Sequence, residues 1–163
     1  MSTGSTGLAR RLLSHPAGWI ATGFGSGLAP KAPGTVGSLA ALLPWLLLRE
    51  LPLPAYLAAL TVAFALGIWA ANWVVARLSV EDPGLVVWDE FVGLWIALLA
   101  CPWHWAWVLI GFALFRLFDI LKPRLVGWAD RRIKGGLGIM LDDVLAGLYA
   151  LIGVQLLVRF WPG

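Results

Sequence analysis

Five carboxylic acids stand at or near the ends of apolar runs in this chain: Asp89 and Glu90, Asp119, and Asp142 with Asp143. Charge held against hydrocarbon is costly and is generally kept for function. Carboxylates gathered at such an edge repel one another unless a cation joins them. The chain has one cysteine and two scattered histidines, so its available donors are hard oxygens. Such donors suit Mg²⁺ rather than Zn²⁺. All five acids are therefore candidate metal ligands and candidate catalytic groups, with Glu90 as either ligand or general base. Plainer roles exist for each acid alone. Asp142 or Asp143 would cap a helix N-terminus. Asp119 would pair with Lys122 at i and i+3 on a helix surface. The whole set on one face is harder to explain that way.

Basic residues crowd the same region: Lys122, Arg124, Arg131, Arg132 and Lys134. Positive charge in a cytoplasmic loop fixes orientation and touches anionic lipid, which accounts for part of the cluster. The string KGGLG follows at once. Glycines let backbone N–H groups approach an anion closely, and arginine suits bidentate phosphate contacts. Acids that hold a divalent cation beside bases that hold phosphate make a phosphoryl site, in which Mg²⁺ offsets charge and orients the attacking water. Lys122, Arg124, Arg132 and Lys134 are the candidate phosphate-binding residues, joined by Thr35 from GFGSGLAPKAPGTVGS. That segment is no Walker A loop, because no Gly-Lys-Ser/Thr follows the required spacing. Its small residues also suit a re-entrant or interfacial turn with close packing. Asn72 is expected to bond to a neighbouring helix. Two routes suit such a site: attack by an activated water, and an aspartyl-phosphate intermediate.

The elements that must position these groups are membrane helices. The 163 residues are 60% hydrophobic and 13% charged, with a mean hydropathy of +0.84. A soluble domain is about half apolar and about a quarter charged. Eleven Trp and two Tyr fit a membrane–water boundary. A net charge of only +3 gives no support to a nucleic-acid partner. The single Cys101 excludes an intramolecular disulfide. No cleaved signal peptide is expected near Arg10 and Arg11. One integral membrane domain, 1–163, is expected, and the oligomeric state is open.

Four uncharged runs stand out: Val36 to Leu48, Ala55 to Ala76, Phe91 to Phe115 and Val144 to Val158. The third decides the topology. As one helix it splits the twelve Lys and Arg seven to five across the membrane; as a hairpin turning at Cys101-Pro102-Trp103-His104-Trp105 it leaves only Arg49 and Arg159 on the far side. The positive-inside tendency selects the hairpin, with a cytoplasmic N-terminus. The fold expected is an all-α polytopic bundle with short or tilted helices and a helical hairpin at about 88–121. His104 and Cys101 then fall across the membrane from the acids, and His15 and His104 on opposite sides, which leaves no Cys or His nucleophile.

Taken together and in order, four strings resemble the phosphatidylglycerophosphatase A family. They are GFGSGLAPKAPGTVGS (Gly23–Ser38), WDE (Trp88–Glu90), FRLFDILKP (Phe115–Pro123) and DRRIKGGLGIMLDDVLAG (Asp130–Gly147). The resemblance covers about Gly18 to Gly147, and the last two strings are long and unusual. The acidic positions show no departure, while Lys31 occupies a variable position. The resemblance implies a Mg²⁺-dependent lipid phosphatase of the bacterial inner membrane, multi-pass, with its active site facing the cytoplasm. It would hydrolyse phosphatidylglycerophosphate to phosphatidylglycerol and inorganic phosphate, with bilayer lipids as its surroundings. Some relatives are soluble helical proteins; the hydropathy of this chain places it with the membrane-embedded ones. A phosphatase with a His nucleophile lacks its paired histidines here, and a CDP-alcohol phosphotransferase lacks its repeated Asp pattern. A small transporter would carry charge in mid-span, whereas these charges sit at an edge.

Overall fold

The computed structural model describes residues 3–160, and its described secondary structure is helical. The helices are α1 (Thr3–Leu12), α2 (Pro16–Ala21), α3 (Pro33–Leu48), α4 (Leu53–Leu78), α5 (Trp88–Ala97), α6 (Trp105–Leu121), α7 (Arg124–Arg132) and α8 (Gly135–Phe160). A short 3-10 turn, Ser26–Leu28, lies between α2 and α3. The helices α4 and α8 are each long and apolar enough to cross a membrane. The expected hairpin is present: α5 and α6 are joined across residues 98–104, through Cys101 and Pro102. The α5 arm has ten residues, which at 1.5 Å per residue is about 15 Å, half a hydrocarbon core.

The short helix α5 is the hub. It packs against α8, α3, α4 and α6, and Phe91, Val92, Leu94 and Trp95 on it are buried. Three polar aromatic tips tie it in place. Trp88 Nε1 donates to the Ala63 carbonyl at 2.9 Å. Trp95 Nε1 donates to the Ala41 carbonyl at 2.8 Å. Tyr56 Oη donates to the Trp95 carbonyl at 2.7 Å. Trp45, Trp88 and Trp95 are thus core residues, while Trp103, Trp105 and Trp128 stay exposed as boundary residues do. The contact of α5 with α8 is close because a Cβ on Gly147 would lie 2.4 Å from the Gly93 carbonyl oxygen.

The last helix starts earlier than its apolar run suggests. It begins at Gly135, so Asp142 and Asp143 lie about two turns inside it and cap nothing. The glycines explain the early start. A Cβ on Gly136 would meet the Ile68 carbonyl oxygen at 2.3 Å. The Gly136 N–H donates to Asn72 Oδ1 at 2.7 Å. Asn72 therefore bonds to a neighbouring helix, as expected, and seats the start of α8 on α4.

Candidate active site

The first turn of α5 carries Asp89 and Glu90. Glu90 is the centre of a bonded group. Its Oε2 accepts from Ser38 Oγ at 2.7 Å and pairs with Nη1 of Arg116. The same Nη1 pairs with Asp119 Oδ2 at 2.9 Å. One guanidinium thus bridges α5 and α6, and Ser38 brings in α3. The approach of α3 requires glycine at position 34, because a Cβ there would stand 2.2 Å from Glu90 Oε1. Thr35, half-buried in the same first turn, is adjacent.

The other acids arrive on α8. Asp142 Oδ2 pairs with Lys122 Nζ at 2.9 Å, and Asp142 Oδ1 accepts from the Asp143 N–H at 3.0 Å. Lys122 ends α6 in a left-handed conformation, φ 44°, which turns its side chain from the surface of α6 toward α8. The expected pair of Asp119 with Lys122 is replaced: Asp119 takes Arg116, and Lys122 takes Asp142. Asp143 is buried at 3% exposure, and its Oδ2 has no hydrogen-bond partner. Glu90, Asp89, Asp119 and Asp142 all act electrostatically on Asp143. The five acids therefore share one neighbourhood, drawn from α5, α6 and α8.

The bases divide. Arg116 and Lys122 reach into the acids. Lys134 pairs with Glu81 at 3.2 Å and, with Asp82, Gly135, Gly138 and Asp142, lines a cleft of about 120 Å³ at the mouth. Arg124 and Arg132 are exposed on α7. The histidines have local structural roles: Nδ1 of His15 accepts from the Ala17 N–H, and Nδ1 of His104 accepts from the Ala106 N–H. Cys101 lies in the turn between α5 and α6, at the opposite end of the hairpin from Asp89 and Asp119.

Arg116, Ser38 and Gly34 belong to the site although their sequence positions alone did not single them out. Arg116 reads first as a topology-setting charge. Its spacing of three from Asp119 on one helix was the available signal. Ser38 meets Glu90 across 52 positions, a contact that no local pattern announces.

Among the described residues, no three acidic, His or Cys side chains are grouped so as to hold a metal ion. Arg116 and Lys122 instead join the carboxylates in ion pairs. The donor chemistry nevertheless fits a hard divalent cation. The donors are all carboxylate oxygens, and one of them, Asp143 Oδ2, is buried without a partner, an arrangement costly to leave unmet.

Such a fold and site define a helical membrane-type protein with an acid-rich, arginine-braced centre where α5, α6 and α8 meet. A family model described as phosphatidylglycerophosphatase A matches residues 19–158. The chain belongs to the phosphatidylglycerophosphatase A family and is accordingly an enzyme, a phosphatase. It is 41% identical over 154 residues to phosphatidylglycerophosphatase A of Escherichia coli K12, covering 94% of this chain and 90% of that protein. It is 46% identical over 151 residues to the protein of the same name from Haemophilus influenzae, covering 91% and 92%. A Bacteroides thetaiotaomicron protein, provisionally named a phosphatidylinositol-3-phosphatase, is 52% identical over 142 residues, covering 82% and 87%. No solved structure matches.

Proposed function

We propose that this protein hydrolyses phosphatidylglycerophosphate to phosphatidylglycerol and inorganic phosphate, in a Mg²⁺-dependent reaction at the cytoplasmic face of a bacterial inner membrane. The observation that carries this reading is the meeting of Asp89, Glu90, Asp119, Asp142 and Asp143 with Arg116 and Lys122. The names of the two phosphatidylglycerophosphatase relatives supply the substrate. The two apolar helices and the hairpin support a multi-pass placement, and the sequence-wide charge asymmetry supports a site facing the cytoplasm.

In this mechanism the acids would hold Mg²⁺, which, when bound, offsets charge on the phosphoryl oxygens and acidifies water. The chain's own residues do the rest. Lys134, which lines the cleft, and Lys122, paired with the cleft residue Asp142, hold the phosphomonoester, with Thr35 contributing from α3. Arg124 and Arg132 draw the anionic headgroup toward the mouth. A carboxylate of the cluster takes the proton of the attacking water. The new O–P bond forms as the P–O bond to glycerol breaks, and the departing oxygen takes up a proton. Arg116 holds Glu90 and Asp119 in register throughout.

Phosphate release from purified protein tests the reading. The substrates are phosphatidylglycerophosphate, phosphatidic acid and phosphatidylinositol 3-phosphate, each with Mg²⁺ and with EDTA. The expected outcome is fastest release from phosphatidylglycerophosphate, abolished by EDTA and restored by Mg²⁺. Faster release from the inositol lipid would overturn the substrate, and undiminished release in EDTA would overturn the metal.

A further inference from the structure

The helices α3 and α6 flank α5 but make few contacts with each other among the described residues. Their closest polar tie is at the site, where Arg116 Nη1 reaches Ser38 Oγ at 3.5 Å. Beyond that tie the two helices part. Between them opens a slot of about 690 Å³ with an almost wholly apolar lining that includes Leu42, Leu46, Trp103, Trp105, Val108 and Leu109. That volume is within the range of sites that bind whole small molecules, about 300–1,000 Å³. The slot is in line with the site. Leu42 lies one turn from Ser38 on α3, about 6 Å, and Val108 lies about two turns from Arg116 on α6, about 12 Å, at 1.5 Å per residue.

One seam therefore carries a charged cluster at one end and an apolar slot at the other. That is the polarity of a phospholipid. The exposed indoles of Trp103 and Trp105 stand at the far end, where aromatic side chains meet a membrane boundary. A slot between parted helices in a bilayer fills with hydrocarbon, since neither water nor backbone is stable there.

We infer that the slot between α3 and α6 receives one acyl chain of the phospholipid substrate and so sets its phosphorylated headgroup at the Glu90–Arg116–Ser38 end of the seam. This rests on the lipid phosphatase reading above and adds a chain-binding subsite to it. The subsite makes the enzyme select for chain length as well as headgroup. Lodging the chain converts a diffusing lipid into one held at the acids, which lowers the entropic part of the barrier.

The test compares dipalmitoyl with dihexanoyl phosphatidylglycerophosphate on the parent, Val108→Trp, Leu109→Trp and a control, Leu66→Trp, on the exposed face of α4. The ratio of kcat/KM for the long chain over the short chain is expected to fall about tenfold in the two slot variants, the scale set by pocket contacts with a few methylenes. It should stay at the parent value in Leu66→Trp. An unchanged ratio in both folded slot variants overturns the inference. A phosphatidylglycerophosphate carrying a diazirine in one acyl chain gives a second readout that needs no turnover. Photolysis should label Leu42, Leu46, Val108 or Leu109, and labelling confined to α4 or α8 overturns it. Crosslinks across this face between two copies, with a dimer lost in Val108→Trp, would assign the slot to self-association instead. Failure of the parent to release phosphate from either lipid would sink the functional reading, while the photolabel still decides the slot.

Discussion

A single guanidinium holds two of the five acids. Arg116 pairs with both Glu90 and Asp119, with its side chain 15% exposed and that of Glu90 10%. Removing one partner of a largely buried pair strands the other. Arg116→Leu should therefore lower unfolding free energy by about 3 kcal/mol, the lower end for a broken buried pair. Arg116→Lys, which keeps the charge, should lose less; equal losses in detergent-based unfolding would contradict the bridging role. Asp143 leads to a second expectation, because its buried Oδ2 lacks a partner. Mg²⁺ at about a hundred times its dissociation constant should stabilise the parent by about 2.7 kcal/mol, seen as a higher melting temperature than in EDTA. Asp143→Asn should lose most of that rise, and an undiminished rise would remove Asp143 from the ligands. The acids were legible in the sequence because isolated charges in apolar surroundings advertise themselves. The pairing of those acids was not, since Lys122 serves Asp142 only after the left-handed turn that ends α6.

At the scale of the helix, glycine decides how near the acids on α5 and α8 come. Gly147→Ala would put a methyl 2.4 Å from the Gly93 carbonyl oxygen, a backbone atom with little room to move. The expected cost is about 1–3 kcal/mol, the usual range for overpacking, together with a loss of phosphate release as α8 shifts. Gly84→Ala, with nothing within 4 Å of the added carbon, should stay within about 0.5 kcal/mol. Similar melting temperatures for the two would contradict the tight crossing. Apolar runs located α3, α4 and the hairpin well, because burial and lipid exposure both demand uninterrupted apolar residues. They missed the first turns of α8, where Gly135, Gly136 and Gly138 look like loop formers. Contact with α4 and the Asn72 bond override that local preference.

For the whole molecule, the hairpin sends Asp119 back to the same end as Asp89, and the turn at 98–104 to the other. In a Cys101→Ser background, single cysteines at His104 and at Ile120, both in exposed positions, should react with an impermeant thiol reagent from opposite sides of sealed vesicles. Labelling of both from one side would refute the topology. The charge asymmetry that predicts this arrangement is a property of the entire sequence, and so was readable without coordinates. The slot between α3 and α6 was not, because it depends on two helices that share a neighbour and not each other. The most direct measurement is phosphate release from phosphatidylglycerophosphate at saturating Mg²⁺ by Asp89→Asn, Asp119→Asn and Asp142→Asn beside the parent. Each substitution should cut kcat/KM by about a hundredfold or more, as removal of a group acting on the transition state does. Turnover at the parent rate by all three would contradict an active centre built from these acids.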